Sequence, residues 1–328
     1  ALAGVGVMFY LLLAVRKKLR EQNLPHADAD ISSLLDLVAI GTVADMVKLD
    51  ANNRRLIRAG LSRINNGRCQ PGVQALIEIS GLTLGEITET DIGFRIGPKI
   101  NAAGRLEDMA LGIECLLANE KHAATQMALS LTAINTDRQE LQQAMLDEAD
   151  EILAQFNVAN ETINQNAYVL HQSHWHPGVI GLIASRLKDK WNRPVVVFAP
   201  SEEGSDELRG SARSIAGFHM RDALAYIDAQ NPGLITRFGG HAMAAGLSMP
   251  VDQLPAFEQA LQNVANLWLS VDALDAVYLT DGALLANEFT RDNAVLIKQG
   301  GPWGQGFAEP LFDNEFQVQS WKVLKDKH

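Results

Sequence analysis

Cysteine is nearly absent from this 328-residue chain. Cys69 and Cys115 are the two it has, and neither stands in a Cys-x-x-Cys or Cys-x-x-His spacing. That argues against a zinc knuckle or a disulfide framework and fits a reducing cytoplasm. Aromatic residues are 6% of the chain, too few for a long base-stacking platform. Basic residues are in the minority, 28 Lys and Arg against 39 Asp and Glu, for a net charge of −11. Such a field argues against a protein that coats nucleic acid through its overall charge. It leaves room for a local basic cleft, or for a metal site that itself adds carboxylates. A membrane-length hydrophobic run is missing too. The apolar stretch Ala1–Val15 falls short of the about 20 residues that span a bilayer, and no basic segment precedes it as in a signal peptide. It reads as a core helix, continued by the basic Arg16–Arg20, of a domain that begins upstream. Neither G-x-S-x-G nor G-x-x-x-x-G-K-[ST] occurs, which disfavours a serine hydrolase and a P-loop ATPase.

What is present suits two or three domains of α/β type. The apolar run Leu34–Val38 is followed by Ile40–Asp45, which breaks at Gly41 and ends on a carboxylate, and reads as an apolar strand leading to Asp45. Asn52–Ile64 reads as a basic amphipathic helix, Pro71–Ser80 as a short helix, and Gly97–Arg105 as a structured loop too rich in Gly and Pro for a regular element. Asp108–Asn119 is helical. Glu120–Phe156 has no Pro or Gly and reads as one long helix, or two that nearly abut, connecting domains. Ala167–His171 and Pro194–Ala199 are β-branched runs around a helix at Gly178–Trp191, a βαβ-like unit. A turn at Glu202–Asp206, a strand at Leu208–Ile215, a helix at Met220–Asp228, a strand at Ala244–Met249 and a helix at Leu254–Leu269 follow. A third segment starts near Val271 and carries a strand at Glu315–Val323.

Five stretches have residues suited to phosphate chemistry. Asp45, after small and apolar residues, is either a metal ligand or a turn aspartate. In Gly97–Arg105, Asn101 and Arg105 accompany small residues that permit close approach. Arg105 is either a bidentate phosphate ligand or a solvated side chain. His174-Trp175-His176-Pro177-Gly178 lies between a strand and a helix, where free N–H groups suit an anion; His176 either meets that anion or caps the loop. In Arg209-Gly210-Ser211-Ala212-Arg213-Ser214, alternation puts Ser211 and Arg213 on one face and Ala212 and Ser214 on the other. Gly239-Gly240 allow close backbone approach beside His241, with a small-residue helix or turn expected to follow. Polar, Gly-flanked segments spread over two domains suggest a cleft between them.

These stretches, in this order, resemble the RecJ single-strand-specific exonucleases of the DHH phosphoesterase superfamily. The matching residues are Leu37–Asp45 (LVAIGTVAD), Gly97–Leu106 (GPKINAAGRL), Trp175–Gly181 (WHPGVIG), Gly210–Ser214 (GSARS) and Gly239-Gly240-His241, with Gly301–Phe307 (GPWGQGF) and Glu309–Phe312 beyond them. The resemblance implies an α/β architecture in four parts. They are the C-terminal part of a DHH domain (1–118), a connecting helix (119–157), a DHH-associated substrate-binding domain (158–270), and a linker with the start of an OB fold (271–328). It implies 5′-to-3′ hydrolysis of single-stranded DNA to mononucleotides with Mn²⁺ or Mg²⁺, in repair and recombination, with a single-stranded-DNA-binding protein as a partner. By the same resemblance Asp45 is a metal ligand and, with Arg105 and His241, catalytic. Asn101, His176, Ser211, Arg213, Ser214, Gly239 and Gly240 handle substrate. The family's other metal ligands lie in an Asp-x-Asp motif, a further Asp and an Asp-His-His motif, all before the helix that starts here at Ala1. The expectation is therefore that this chain alone is inactive. The alternatives are a phosphodiesterase for oligoribonucleotides or cyclic dinucleotides, against which the OB-like tail speaks, and a non-catalytic single-strand-binding scaffold.

Overall fold

The computed structural model describes residues 1–159, 165–202 and 204–322. They fall into two compact units. One comprises Ala1–Asn101, Ala110–Leu131 and Tyr278–His328; the other comprises Ala102–Met109 and Thr132–Val277.

The first unit is helical. Helix α1 (Gly4–Glu21) packs one side, through Phe9, on α2 (Leu35–Ala44) and α3 (Ala51–Asn65), where Val38 and Leu56 meet it. Its other apolar residues, among them Val7, Met8 and Leu11, are exposed, so only one face of the expected core helix lies in a core. The strand expected to end on Asp45 is helix α2 instead. Val38, Ala39, Ile40 and Thr42 are buried on several sides of it, so no helical stripe shows in the sequence. Helix α3 starts where Asp50 accepts hydrogen bonds from the N–H groups of Asn52 and Asn53. Helix α4 (Pro71–Ile79) and the single turn α5 (Glu89–Asp91) follow.

The expected loop at Gly97–Arg105 is also helical, as α6 (Gly97–Leu106). A π turn at Ile92–Ile96 feeds it, with the Gly97 N–H bonded to the Ile92 carbonyl. Pro98 then stands in the first turn, where a helix has no use for the missing N–H. Helix α7 (Ala110–Leu117) leads to α8 (Lys121–Ala159), one uninterrupted helix of 39 residues.

The second unit is built on five strands. They are β1 (Tyr168–His171), β2 (Val195–Pro200), β3 (Glu207–Arg213), β4 (Arg237–Gly240) and β5 (Ala244–Pro250), in spatial order β1-β2-β3-β5-β4. β1 and β2 are parallel, joined through α9 (Ile180–Trp191) as the βαβ reading expects; the other pairings are antiparallel. Helices α10 (Met220–Gln230) and α11 (Leu254–Trp268) bury one sheet face, with Phe198, Leu208, Leu247 and Met249 packed against Leu224 and Phe257. On the opposite face α9 and the α8 residues Met145 and Ala149 pack on Leu170, Val195 and Val197. That second cluster takes its sheet residues from β1 and β2 alone. The β3-β5-β4 half of the face carries the groove described below. After His241 a bend at 242–243 leads into β5, the strand expected at Ala244–Met249. The turn at Glu202–Asp206 includes Glu203, which lies outside the described residues.

The C-terminal segment returns to the first unit. After α12 (Arg291–Gly300), the Gly300 and Gly301 carbonyls accept from Arg54 Nη2 (2.9 Å) and Arg58 Nε (3.0 Å). The Arg54 guanidinium lies 3.5 Å from the Phe307 ring centroid, and Phe307 stacks on Trp303. Residues 281–284 run beside 311–314, with Asp281 N–H bonded to Leu311 O (2.7 Å). The expected strand at Glu315–Val323 is not formed over 315–322, where Phe316, Val318 and Trp321 are exposed; Val323 lies outside the described residues. An alternating pattern with no neighbouring strand to pair with cannot satisfy its backbone as a sheet.

Candidate functional site

In the second unit, the open half of the sheet face forms a groove of about 500 Å³. Among the described residues its lining holds Arg105, Arg209, Arg213 and Arg237, and no carboxylate. Arg213 is fixed by three donations: Nε to Ser185 Oγ (3.0 Å), and Nη1 to Ser211 Oγ (3.1 Å) and to Ala212 O (2.9 Å). Desolvation and then the neighbouring Arg105 push the Arg213 guanidinium below its ordinary pKa; desolvation does the same to Arg105. Arg138 on α8 is buried, bonded to Asn135 Oδ1 and Gln142 Oε1, and depressed by desolvation, Arg105 and Arg186. Cations gathered this way repel one another, and an arriving anion relieves them.

The amino end of α9 completes the groove, which Gly178, Ile180 and Gly181 help to line. Its N-cap, Val179, gives no side-chain cap, so the positive end of the helix is left for a ligand. Gly181 is there because a Cβ would stand 3.2 Å from both Ser211 Oγ and Arg213 Nη2. Arg105 Nη1 reaches Gly178 O at 3.4 Å.

Of the residues expected to form a site, Arg105, Ser211, Arg213 and Gly239 line this groove together. His176 serves its own loop: its Nδ1 accepts from Gly178 N–H (3.0 Å), which fixes the bend before α9 and leaves Nε2 to carry the ring proton. Gly240, at φ +146°, makes the turn of the β4–β5 hairpin, and a Cβ there would strike the Ala244 carbonyl. His241 is exposed on that hairpin, held by its backbone N–H to Ala244 O (2.8 Å). Ser214 does not belong to the groove. It is 1% exposed and donates to Phe218 O (2.6 Å), because strand alternation turns it into the core.

Asp45 and Asn101 line a different groove, in the first unit, whose other walls are apolar: Val5, Leu37, Ile40 and Ile100 among them. Asp45 is the C-cap of α2 and is exposed. Among the described residues no three His, Cys, Asp or Glu side chains stand together as a metal site. Mn²⁺ and Mg²⁺ want several oxygen ligands, so the donors described here do not by themselves fit such a centre. Asp45 can provide one.

Arg237, Ser185 and Ser248 were not singled out from the sequence, and Arg209 and Gly181 stood in quoted stretches without being given a role. Arg209 had a signal, since it continues the Ser211/Arg213 alternation. Arg237 needs the hairpin register that sets it opposite Ser248. Two arginines of the basic helix α3, Arg54 and Arg58, hold the C-terminal segment.

The sheet, its helices and most of the groove lie within residues 160–267, which match the DHHA1 domain family model. Over its whole length the chain is similar to RecJ proteins. It is 45% identical to the single-stranded-DNA-specific exonuclease RecJ of Dickeya dadantii, covering 100% of this chain and 57% of that protein. The crystal structure of RecJ in complex with Mg²⁺ from Thermus thermophilus superposes with a TM-score of 0.72 at 30% identity, covering 90% of this chain and 43% of that one. The Mn²⁺ complex from the same organism gives the same TM-score and identity, over 90% and 41%. The chain thus spans little more than half the length of the curated relatives it matches. No described helix is long and apolar enough to cross a membrane.

Proposed function

We propose that this chain is the phosphate-handling part of a 5′-to-3′ exonuclease that hydrolyses single-stranded DNA to mononucleotides. The observation that supports this most is the convergence of four arginines on a groove without a carboxylate, in a chain of net charge −11. Ser211 and the fixed guanidinium of Arg213 take the terminal phosphate, with Arg105 beside them and the amino end of α9 above. Gly239 leaves room for the sugar, and His241 stands at the rim of the hairpin. Mn²⁺ or Mg²⁺, held by further ligands, would supply activation of water. Asp45 would be one of its ligands, with Asn101 in the same groove. No cleavage step is assigned to these residues; their work is to bind and orient the strand. Action in the cytoplasm, in repair and recombination, and a single-stranded-DNA-binding protein as partner follow from the likeness to RecJ.

The test uses a 5′-labelled single-stranded oligonucleotide with this chain and Mn²⁺. A gel shift that weakens with Ser211→Ala and with Arg213→Gln, without release of labelled mononucleotide, is expected. Release abolished by Asp45→Ala would mean that the site is complete in this chain. No shift at any salt concentration would overturn the reading.

A further inference from the structure

The groove is longer than one phosphate requires. The register sets Arg209, Ser248 and Arg237 side by side across β3, β5 and β4. The next row on the same face is Ser211, Gly246 and Gly239. This second row is almost flat: a Cβ at Gly239 would meet nothing within 4 Å, and one at Gly246 only the Gly210 carbonyl at 3.8 Å. Arg213 folds its guanidinium back onto Ser211, so the terminal-phosphate subsite centres on that flat row. The row of Arg209 and Arg237 is a separate cationic centre. Arg237 Nε donates to Ser248 Oγ (3.2 Å), which draws its guanidinium over the middle strand towards Arg209. Both arginines are exposed, and among the described residues the ion pairs include neither of them.

We propose that Arg209, Ser248 and Arg237 form a second phosphate subsite, one nucleoside away from the subsite at Ser211 and Arg213. Adjacent same-face rows are two residues apart, about 6.8 Å along a strand. That suits two successive phosphates of a nucleotide strand, which a whole nucleoside holds apart. The groove therefore measures the ligand: it takes two phosphates separated by a nucleoside rather than two joined directly to one another.

The inference rests on the reading of this groove as a phosphate site, and the test separates the two. Titration calorimetry on the full chain compares thymidine 5′-monophosphate, thymidine 3′,5′-bisphosphate and thymidine 5′-diphosphate. The bisphosphate should bind about tenfold tighter than the monophosphate, the gain of one charge-assisted contact, and the 5′-diphosphate should gain less. The double variant Arg209→Gln/Arg237→Gln should bring the bisphosphate-to-monophosphate ratio to about one. Ser211→Ala should weaken both ligands and keep the ratio. A ratio near one in the unmodified chain, a ratio that survives the double variant, or an equal gain with the 5′-diphosphate overturns the second subsite. A bisphosphate gain lost in the double variant, with no response of either ligand to Ser211→Ala, leaves the second subsite standing and removes the first. No binding of any of the three overturns both.

Discussion

Ser211 and Ser214 are three positions apart and face opposite ways, and the consequences of removing each hydroxyl differ accordingly. Ser214 is buried and is bonded to the Phe218 carbonyl. Ser214→Ala leaves that carbonyl without its donor, at a cost of about 1–3 kcal/mol. The urea midpoint should fall, with affinity for thymidine 5′-monophosphate following stability alone. Ser211 is half-buried and touches Arg213, so Ser211→Ala should weaken the ligand with little change in the midpoint. A Ser214→Ala protein of full stability and lost affinity would return Ser214 to the site. The sequence placed these two serines on opposite faces correctly, since alternation needs no tertiary information. It could not say which face would be covered. That depends on α9 and its neighbours packing over β1 and β2, while α10 and α11 cover the whole of the other side.

At the scale of elements, helix α3 was legible and α2 and α6 were not, for reasons that lie in their surroundings. Helix α3 has an aspartate cap and one apolar stripe. Helix α2 is buried on several sides, and its β-branched residues mimic a strand. In α6 the glycine and proline that argue for a loop are absorbed by the π turn and by the first helical turn. Close approach of α2 and α3 ties the fate of Asp45 to this packing. A Cβ at Gly60 would strike the Leu35 carbonyl and the Ala39 methyl. On an exposed helix, Gly→Ala would gain about 1 kcal/mol. Here Gly60→Ala should instead cost a net 1–3 kcal/mol or so, because it forces backbone apart rather than filling a void. Chemical denaturation decides the sign. A stabilised Gly60→Ala protein would mean that the two helices stand further apart than described.

Over the whole molecule, the excess of acidic residues and the arginine groove act at different ranges. The net charge of −11 repels a polyanion at long range and is screened within about 8–10 Å at ordinary ionic strength. The groove, read as a phosphate site, would attract at contact, where Arg105, Arg209, Arg213 and Arg237 stand without a competing carboxylate among the described lining residues. Composition argues against a coating protein and could not locate the groove. Two of those arginines come from segments with a motif, and Arg209 and Arg237 become neighbours only through the strand order. If all four neutralise phosphates of a single strand, the slope of log K against log salt should be about −2.8, from about −0.7 per contact. Each Arg→Gln change should bring it about 0.7 closer to zero. Because the attraction is confined to one groove, affinity should level off once an oligonucleotide is a few nucleotides long, and a blunt duplex of equal charge should bind far more weakly. Fluorescence anisotropy across a salt series, with oligonucleotides of increasing length, reads all three quantities. A slope that keeps steepening with length would mean a second basic track elsewhere on the chain, and a duplex bound as tightly as a single strand would mean that the groove does not discriminate between the two.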